Sequence, residues 1–251
     1  MPKLVVFDSG LGSLSIIRSI QKKIRAEIVY FADQDNFPYG TKSISQLKKI
    51  IELTIKKLQE RFEPDIIIVG SNTPSILLDI PKRSKIIGVY PPLCDAVKAT
   101  KTKTIAILAT RSVIESNKLT NYIKKNVPTR IKVIKINASP LVELVESGRF
   151  IAETKFCEKQ IRRILKPFLK ERIDVATLSS THLPFLLPLL EKKFPKVTFL
   201  NPADMIADQI SRVLQNRKSQ VNKLQIFASG DTLAFEKKLR KIGIRNKVLS
   251  L

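Results

Sequence analysis

The sequence predicts an α/β fold with two pseudo-symmetric α/β domains, each built on a mainly parallel sheet. Short apolar runs alternate with longer amphipathic stretches from end to end, as in proteins whose parallel strands are covered by helices. One strand-and-turn pattern also occurs twice. The 251 residues, 43% of them hydrophobic, are enough for one large or two small domains without disulfide support.

Nine apolar runs have the length and continuity of buried parallel strands. They cover residues 4–7, 28–31, 66–69, 86–89, 105–108, 131–136, 175–178, 197–200 and 225–228. Between them, helical spacing with lysine and arginine on the outer face predicts six helices. These cover residues 43–61, 114–126, 151–169, 183–193, 203–215 and 233–242.

Prolines mark the two points where the chain is expected to cross between domains. They lie in Tyr90-Pro91-Pro92 and in Asn201-Pro202, and proline disfavours the continuation of either element. We therefore predict a first domain of residues 1–91 plus 203–251 and a second domain of residues 92–202.

The repeated pattern begins with an acid, continues as an apolar strand and reaches a serine six residues later. It runs from Asp65 to Ser71 and again from Asp174 to Ser180, at an offset of 109 residues. Ligands of open α/β sheets bind beyond the carboxyl ends of the strands, so the repeat predicts a site at the interface of two similar domains. The alternative is that the same serines only cap helices.

Composition excludes several kinds of chemistry. The only cysteines are Cys94 and Cys157 and the only histidine is His182, so neither a disulfide scaffold nor a CxxC or histidine-rich metal site is expected. Neither of the common glycine-rich phosphate-binding motifs occurs. No apolar run is long enough to span a bilayer, and Asp8 interrupts the first one, so we expect a cytoplasmic protein.

The net charge of +23, from 45 basic and 22 acidic residues, raises nucleic-acid binding as a second hypothesis. The charge is dispersed over many helices, aromatic residues make up only 6% of the chain, and tryptophan is absent. A solvated basic surface explains this pattern better, and nucleic acid is kept only as a weak, nonspecific partner.

Polar groups at the predicted strand ends match the polarity of an amino acid. Asp8 offers an acceptor for an ammonium group, while the hydroxyls and backbone after Ser71 and Ser180 offer donors for a carboxylate. Both Asp8 and His182 could instead serve only as caps or core residues.

Five motifs in order resemble those of glutamate racemases, in the aspartate/glutamate racemase superfamily. They are Asp8-Ser9-Gly10-Leu11-Gly12-Ser13-Leu14-Ser15, Pro38-Tyr39-Gly40, Ser71-Asn72-Thr73, Ser180-Thr181-His182 with Pro184, and Ser229-Gly230-Asp231. The resemblance covers nearly the whole chain.

The resemblance implies cofactor-independent interconversion of L- and D-glutamate by two-base proton transfer at the α-carbon. In that family two cysteines act as base and acid. Carried over, Asp8 would assist position 71 and His182 would assist position 180. Substrate-binding roles would fall to Ser9, Pro38, Tyr39, Gly40, Asn72, Thr73, Thr181 and Glu146. Glutamate or aspartate is the expected small-molecule partner, no metal is expected, and a homodimer is a candidate assembly.

Serine occupies both positions where the resemblance requires cysteine. A serine hydroxyl is a far weaker acid than a thiol, so we expect racemisation to be impaired or absent. Deliberate replacement of both cysteines, natural divergence to a catalytically inactive dicarboxylate-binding homologue, and a hydrolytic activity all stay open. Gly70 and Ser179, which also depart from the family pattern, favour divergence.

Overall fold

The computed structural model describes residues 1–80, 85–214 and 222–251. These residues form two compact units, Met1–Val89 with Ala203–Leu251, and Tyr90–Pro202. The sequence placed the first crossing after residue 91, two residues later than this division, and the second after residue 202.

The described residues form ten strands, and each of the nine predicted apolar runs coincides with one of them. The strands are β1 (Lys3–Asp8), β2 (Glu27–Ala32), β3 (Ile66–Val69), β4 (Ile86–Gly88), β5 (Thr104–Ala109), β6 (Lys132–Asn137), β7 (Val175–Ser179), β8 (Thr198–Leu200), β9 (Lys223–Ala228) and β10 (Val248–Ser250). The unpredicted strand, β10, is a three-residue edge strand with two exposed side chains, so no apolar run marks it.

All strand pairs are parallel. The first unit has a six-stranded sheet in the order β10-β9-β2-β1-β3-β4, and the second has a four-stranded sheet in the order β6-β5-β7-β8. The order β2-β1-β3-β4 is thus repeated in the second unit. The predicted α/β class with two mainly parallel sheets is confirmed.

Thirteen α-helices lie among the described residues. They are α1 (Leu14–Lys23), α2 (Ile44–Phe62), α3 (Asn72–Leu77), α4 (Leu93–Ala99), α5 (Arg111–Ile114), α6 (Asn117–Asn126), α7 (Ser139–Glu146), α8 (Arg149–Ala152), α9 (Thr154–Ile164), α10 (Pro167–Lys170), α11 (Leu187–Lys193), α12 (Pro202–Val213) and α13 (Thr232–Lys241). None of them is long and apolar enough to cross a membrane.

Two predicted helices are interrupted. The stretch 151–169 contains parts of α8 and α10 around α9, and Pro167, which has no N–H and cannot continue a helix, begins α10. In the stretch 114–126 the Ser116 hydroxyl accepts a hydrogen bond from Leu119 N at 3.1 Å and so starts α6 as a separate helix. The predicted helix over 183–193 begins as a 3-10 turn, Leu183–Leu186.

Four helices were not predicted from periodicity: α1, α3, α4 and α7. All side chains of α3 are buried, so this helix has no polar face, and α4 and α7 are only about two turns long. Helix α1 does have a polar face, with Arg18, Lys22 and Lys23 exposed, so its sequence carried a helical signal. The end predicted for the helix over 203–215 lies outside the described residues.

The aspartates that open the sequence repeat have equivalent roles in the two units. Asp65 accepts a hydrogen bond from Lys3 N, at the start of β1, at 2.9 Å. Asp174 accepts bonds from Lys101 N at 2.7 Å and Thr102 N at 3.0 Å, just before β5. Each aspartate therefore anchors the backbone at the point where the neighbouring central strand begins.

We predict that Asp174→Asn lowers the free energy of unfolding by about 1 kcal/mol at neutral pH, because the amide loses charge-assisted acceptor capacity at a half-buried position. Burial raises the pKa of Asp174, but hydrogen bonds from Thr100, Lys101 and Thr102 outweigh it and leave the pKa below its usual value. This stabilisation is therefore full above the unfolded pKa of about 3.9 and is lost as pH falls through the folded pKa.

Urea unfolding of both proteins between neutral pH and pH 3 measures the effect, and the difference should shrink in acid. Glu115→Gln is the matched control, since it removes an exposed pair with Arg111 in the same unit and should cost less than about 0.5 kcal/mol. An Asp174→Asn effect equal to the control at every pH would contradict the assignment.

Candidate active site

In the first unit, the predicted site residues Asp8 and Ser71 follow adjacent strands. Phe7 of β1 pairs with Val69 of β3, and Gly70 N donates to Phe7 O at 2.8 Å. Parallel strands end at the same edge of the sheet, so Asp8 and the segment from Gly70 to Ser71 leave that edge side by side.

Asp8 is buried and its carboxylate is held by nearby groups. Asp8 Oδ1 accepts a hydrogen bond from Ser9 N at 2.8 Å. Asp8 Oδ2 lies 3.4 Å from the Ser13 hydroxyl, which donates to Gly70 O at 2.7 Å. The carboxylate and the peptide that precedes Ser71 therefore contact the same hydroxyl.

Ser71 is in the N-cap position of α3, but its side chain does not cap the helix. Within the described ranges, no residue exchanges a hydrogen bond with its hydroxyl, although the side chain is buried. The Ser71 carbonyl accepts a hydrogen bond from Ser75 Oγ at 2.7 Å, and Ser75 Oγ in turn accepts one from Val89 N at 2.9 Å. The backbone of Ser71 is thus fixed while its hydroxyl is left available.

Asn72 carries a buried acceptor. Its Nδ2 donates to Val89 O at 3.0 Å, whereas its Oδ1 accepts no hydrogen bond from the residues that the structure describes. A buried carbonyl without a donor is costly, so this atom is suited to a donor supplied by a ligand.

The motif Pro38-Tyr39-Gly40 packs against Asp33, a buried carboxylate that the sequence had not singled out. Tyr39 is buried, and its hydroxyl donates to Asp33 Oδ2 at 2.9 Å; Asn36 Nδ2 also donates to Asp33, at 2.8 Å. Burial, together with the charges of Asp33 and Asp8, raises the pKa of Tyr39 well above its usual value. Asp33 follows the end of β2, so the rule that selected Asp8 could have found it.

The remaining predicted residues of the first unit differ in burial. Ser9 and Thr73 are buried, Gly40 is half-buried and Pro38 is exposed. Pro38 follows a cis peptide bond and precedes the 3-10 turn Tyr39–Thr41.

In the second unit, Ser180, Thr181 and His182 follow β7 and are all buried. His182 Nε2 lies 2.6 Å from Glu146 Oε1, and each side chain is only 8% exposed. Glu146 is the last residue of α7, so the fold brings together two residues that the sequence selected from segments 36 positions apart. A carboxylate at this distance fixes the orientation of the imidazole ring.

The hydrogen bonding of Ser180 resembles that of Ser71. Its carbonyl accepts a hydrogen bond from Leu183 N at 3.0 Å, but its hydroxyl has no hydrogen-bond partner in the part of the chain that the structure describes. The neighbouring hydroxyl, on Ser179, is 2.8 Å from Thr177 Oγ1.

The two cysteines lie elsewhere. Cys94 is exposed in α4, and Cys157 is buried in α9, where burial raises its pKa. Outside the two gaps in the described chain, no group of three or more metal-ligating side chains could hold a metal ion. The strand-end groups of the first unit offer hydroxyls, backbone groups and the carboxylates of Asp8 and Asp33. Those of the second unit offer hydroxyls, backbone groups, the Glu146 carboxylate and the His182 imidazole.

The match to a family model decides how these features are interpreted. The model described as Asp/Glu/Hydantoin racemase matches residues 5–210. The chain belongs to this family. A glutamate racemase of Buchnera aphidicola is 30% identical to the chain over 87% of its length and 88% of the relative's. The resemblance to glutamate racemases is therefore confirmed.

Solved structures agree with this assignment. The crystal structure of a glutamate racemase isoform from Bacillus anthracis has a TM-score of 0.85 and 25% identity, covering 100% of this chain and 97% of that one. Glutamate racemase from Escherichia coli, in complex with L-glutamate, has a TM-score of 0.84 over 100% and 98% of the two chains. At 22% identity, the second comparison shows the fold alone.

We predict that Glu146→Leu lowers the free energy of unfolding by about 1–3 kcal/mol, because it leaves the buried His182 ring without its carboxylate. Glu146→Gln keeps an acceptor oxygen and should recover most of the loss. Thermal unfolding of the three proteins tests this expectation. Equal stability of the Leu and Gln variants would show that the contact with His182 does not stabilise the fold.

We also predict that one thiol of the native protein reacts with a disulfide reagent within minutes and that the second reacts only after unfolding. Cys94 is exposed, whereas Cys157 is buried and its thiolate is disfavoured. Counting thiols with and without denaturant, and mapping the label to a peptide, measures this difference. Rapid native labelling of Cys157 would contradict its placement in α9.

Proposed function

We propose that this protein is a racemase-fold protein that binds a dicarboxylic amino acid, glutamate above all, and that its racemisation is impaired. The observation that carries the proposal is the pair Ser71 and Ser180. Both stand at strand ends with hydroxyls that make no hydrogen bond to the described residues, while the polar groups around them are retained.

Two lines of support favour glutamate as the ligand. The curated relatives are glutamate racemases, and the E. coli enzyme was crystallised with L-glutamate. The buried Oδ1 of Asn72 could accept a hydrogen bond from the ammonium group of an amino acid. The site at the interface of two similar domains stays a prediction of the sequence repeat.

The proposed impairment follows from acid–base chemistry. In a two-base mechanism one group removes the α-proton on one face of the substrate and the other returns a proton on the opposite face. A cysteine has a pKa near 8.5, so a useful thiolate fraction forms near neutral pH, whereas a serine hydroxyl is a far weaker acid. General-base catalysis requires a group whose pKa lies near the working pH.

The neighbouring groups would have distinct roles in this mechanism. Asp8, fixed by Ser9 N, would assist position 71, which follows the adjacent strand at the same edge of the sheet. His182, held by Glu146, would donate or accept the proton at position 180. Among the described residues, neither Asp8 nor His182 exchanges a hydrogen bond with the hydroxyl of Ser71 or Ser180, so these contacts do not activate either serine as a base.

The hydroxyls of Ser71 and Ser180 also bear on hydrolysis and on the origin of the two serines. A hydrolytic activity would need a base hydrogen-bonded to the nucleophilic serine, so it is the least supported. Deliberate replacement of the cysteines and natural divergence both remain compatible with the site. The cytoplasmic location, the homodimer and weak nucleic-acid binding remain predictions.

Deuterium incorporation at the α-carbon tests the proposal. D- and L-glutamate and D- and L-aspartate are incubated in deuterated buffer with this protein, with Ser71→Cys, with Ser180→Cys and with the double variant. We expect the double variant to racemise glutamate and to exceed this protein by about 10²–10⁴-fold. Each single variant should exchange one enantiomer preferentially, because a single thiol serves one face.

The controls separate the two parts of the proposal. Cys94→Ser in each background removes the exposed native thiol and should leave the rates unchanged. Equal exchange by this protein and the double variant would overturn the impairment. Absence of both exchange and binding of any dicarboxylic amino acid, measured by calorimetry, would overturn the ligand assignment.

A further inference from the structure

Ser13 uses its hydroxyl in an unusual way. It occupies the N-cap position of α1, where serine commonly accepts a hydrogen bond from the first turn, but it makes no such bond. Its backbone is already helical, with φ −64° and ψ −13°. The fully buried hydroxyl instead donates to Gly70 O at 2.7 Å.

This hydrogen bond acts on the peptide group that enters Ser71. Because a trans peptide is planar, holding the Gly70 carbonyl also fixes the direction of the Ser71 N–H. The Ser71 carbonyl is held in the same manner by the Ser75 hydroxyl, at 2.7 Å. Two buried hydroxyls therefore fix the peptide groups on both sides of residue 71.

Ser13 also explains why residue 70 is glycine. A Cβ added to Gly70 would lie 1.9 Å from Ser13 Oγ, 2.9 Å from Ser13 Cβ and 3.1 Å from Phe7 O. Gly70 is not among the positive-φ glycines, so its backbone could accept a side chain. The side chain of Ser13 is the main obstacle, and the Phe7 carbonyl oxygen adds a tight contact.

The same hydroxyl is 3.4 Å from Asp8 Oδ2. Ser13 thus lies between the carboxylate that would assist position 71 and the peptide that positions it. Neither Ser13 nor Gly70 need touch a ligand for this arrangement to affect the site.

We propose that Ser13 is a positioning residue for position 71 and that it acts as a size-matched pair with Gly70. The proposal deepens the proposed function, because it concerns the geometry of the same strand-end site. The size of the side chain at position 13 limits the size allowed at position 70, and the reverse also holds.

The test uses the full chain carrying Ser71→Cys, which places a reporter thiol at the position in question. Alkylation by iodoacetamide is followed over a range of pH, and the peptide containing position 71 is quantified by mass spectrometry so that labelling of Cys94 does not interfere. We expect Ser13→Ala to slow alkylation at neutral pH about fivefold and to move the pH midpoint upward, because the 70–71 peptide is no longer fixed.

Ser15→Ala is the matched control, since it removes another buried hydroxyl, which donates to Gly12 O at 2.9 Å on the same helix. It should change the rate less than about twofold. Equal effects of Ser13→Ala and Ser15→Ala on the rate and the midpoint would overturn the proposal.

The size match is tested by a double-mutant cycle in the same background. Gly70→Ala should disturb alkylation more than Ser13→Ala. Ser13→Gly/Gly70→Ala relieves the clash but lacks the Ser13 hydroxyl, so it should return the rate to about that of Ser13→Ala. If Gly70→Ala does not fold, the double variant still tests the pairing, because removing the Ser13 side chain should restore folding. A harmless Gly70→Ala, or a double variant as impaired as Gly70→Ala, would contradict the pairing.

These measurements do not depend on glutamate. A shift in thiol reactivity without glutamate binding would support the positioning role and overturn the ligand assignment. If the thiol-restored protein exchanges the α-proton of glutamate and Ser13→Ala does not change that rate, the ligand assignment is supported and the positioning role is overturned.

Discussion

The parallel register of β1 and β3 pairs Phe7 with Val69, and the geometry around Asp8 and Ser71 in the first unit depends on this pairing. It brings Asp8 and Gly70 out of the sheet together, within reach of the single hydroxyl of Ser13. The second unit repeats the register, with Ala109 paired to Ser179, so Ser180 emerges at the equivalent point. In the second unit Ala109 occupies the position equivalent to Asp8. The titratable side chains of that unit's strand-end segment are therefore those of Glu146 and His182.

The polar groups around the two serines are buried and well ordered by hydrogen bonds. Burial of a carboxylate or an imidazole is costly unless partners compensate for lost hydration. Ser9 N donates a hydrogen bond to Asp8, and Glu146 is hydrogen-bonded to His182. These hydrogen bonds offset the cost of burying the two groups, so they stabilise the fold whether or not the site is catalytic.

Sequence reasoning predicted the strands well, because buried parallel strands are continuously apolar and the polar residues at their ends follow directly. It could not predict the contact between Glu146 and His182, or that between Ser13 and Gly70, because such contacts join distant segments and leave no periodic signal. Short or largely buried helices such as α3 lack a polar face and were missed for a related reason. The substrate-binding role of Tyr39 stays a prediction, and the hydrogen bond from its hydroxyl to Asp33 depends on tertiary packing.

The first unit is discontinuous in sequence, since β9 and β10 are contributed by residues beyond the second unit. During synthesis, β2 emerges early, but its partner β9, which pairs Lys223 with Glu27, emerges only near the end. The second unit is one continuous segment and can complete its four-stranded sheet while that edge of β2 is still open. Unpaired strand edges promote association between chains, so we expect the nascent protein to be prone to aggregation in the interval before β9 arrives.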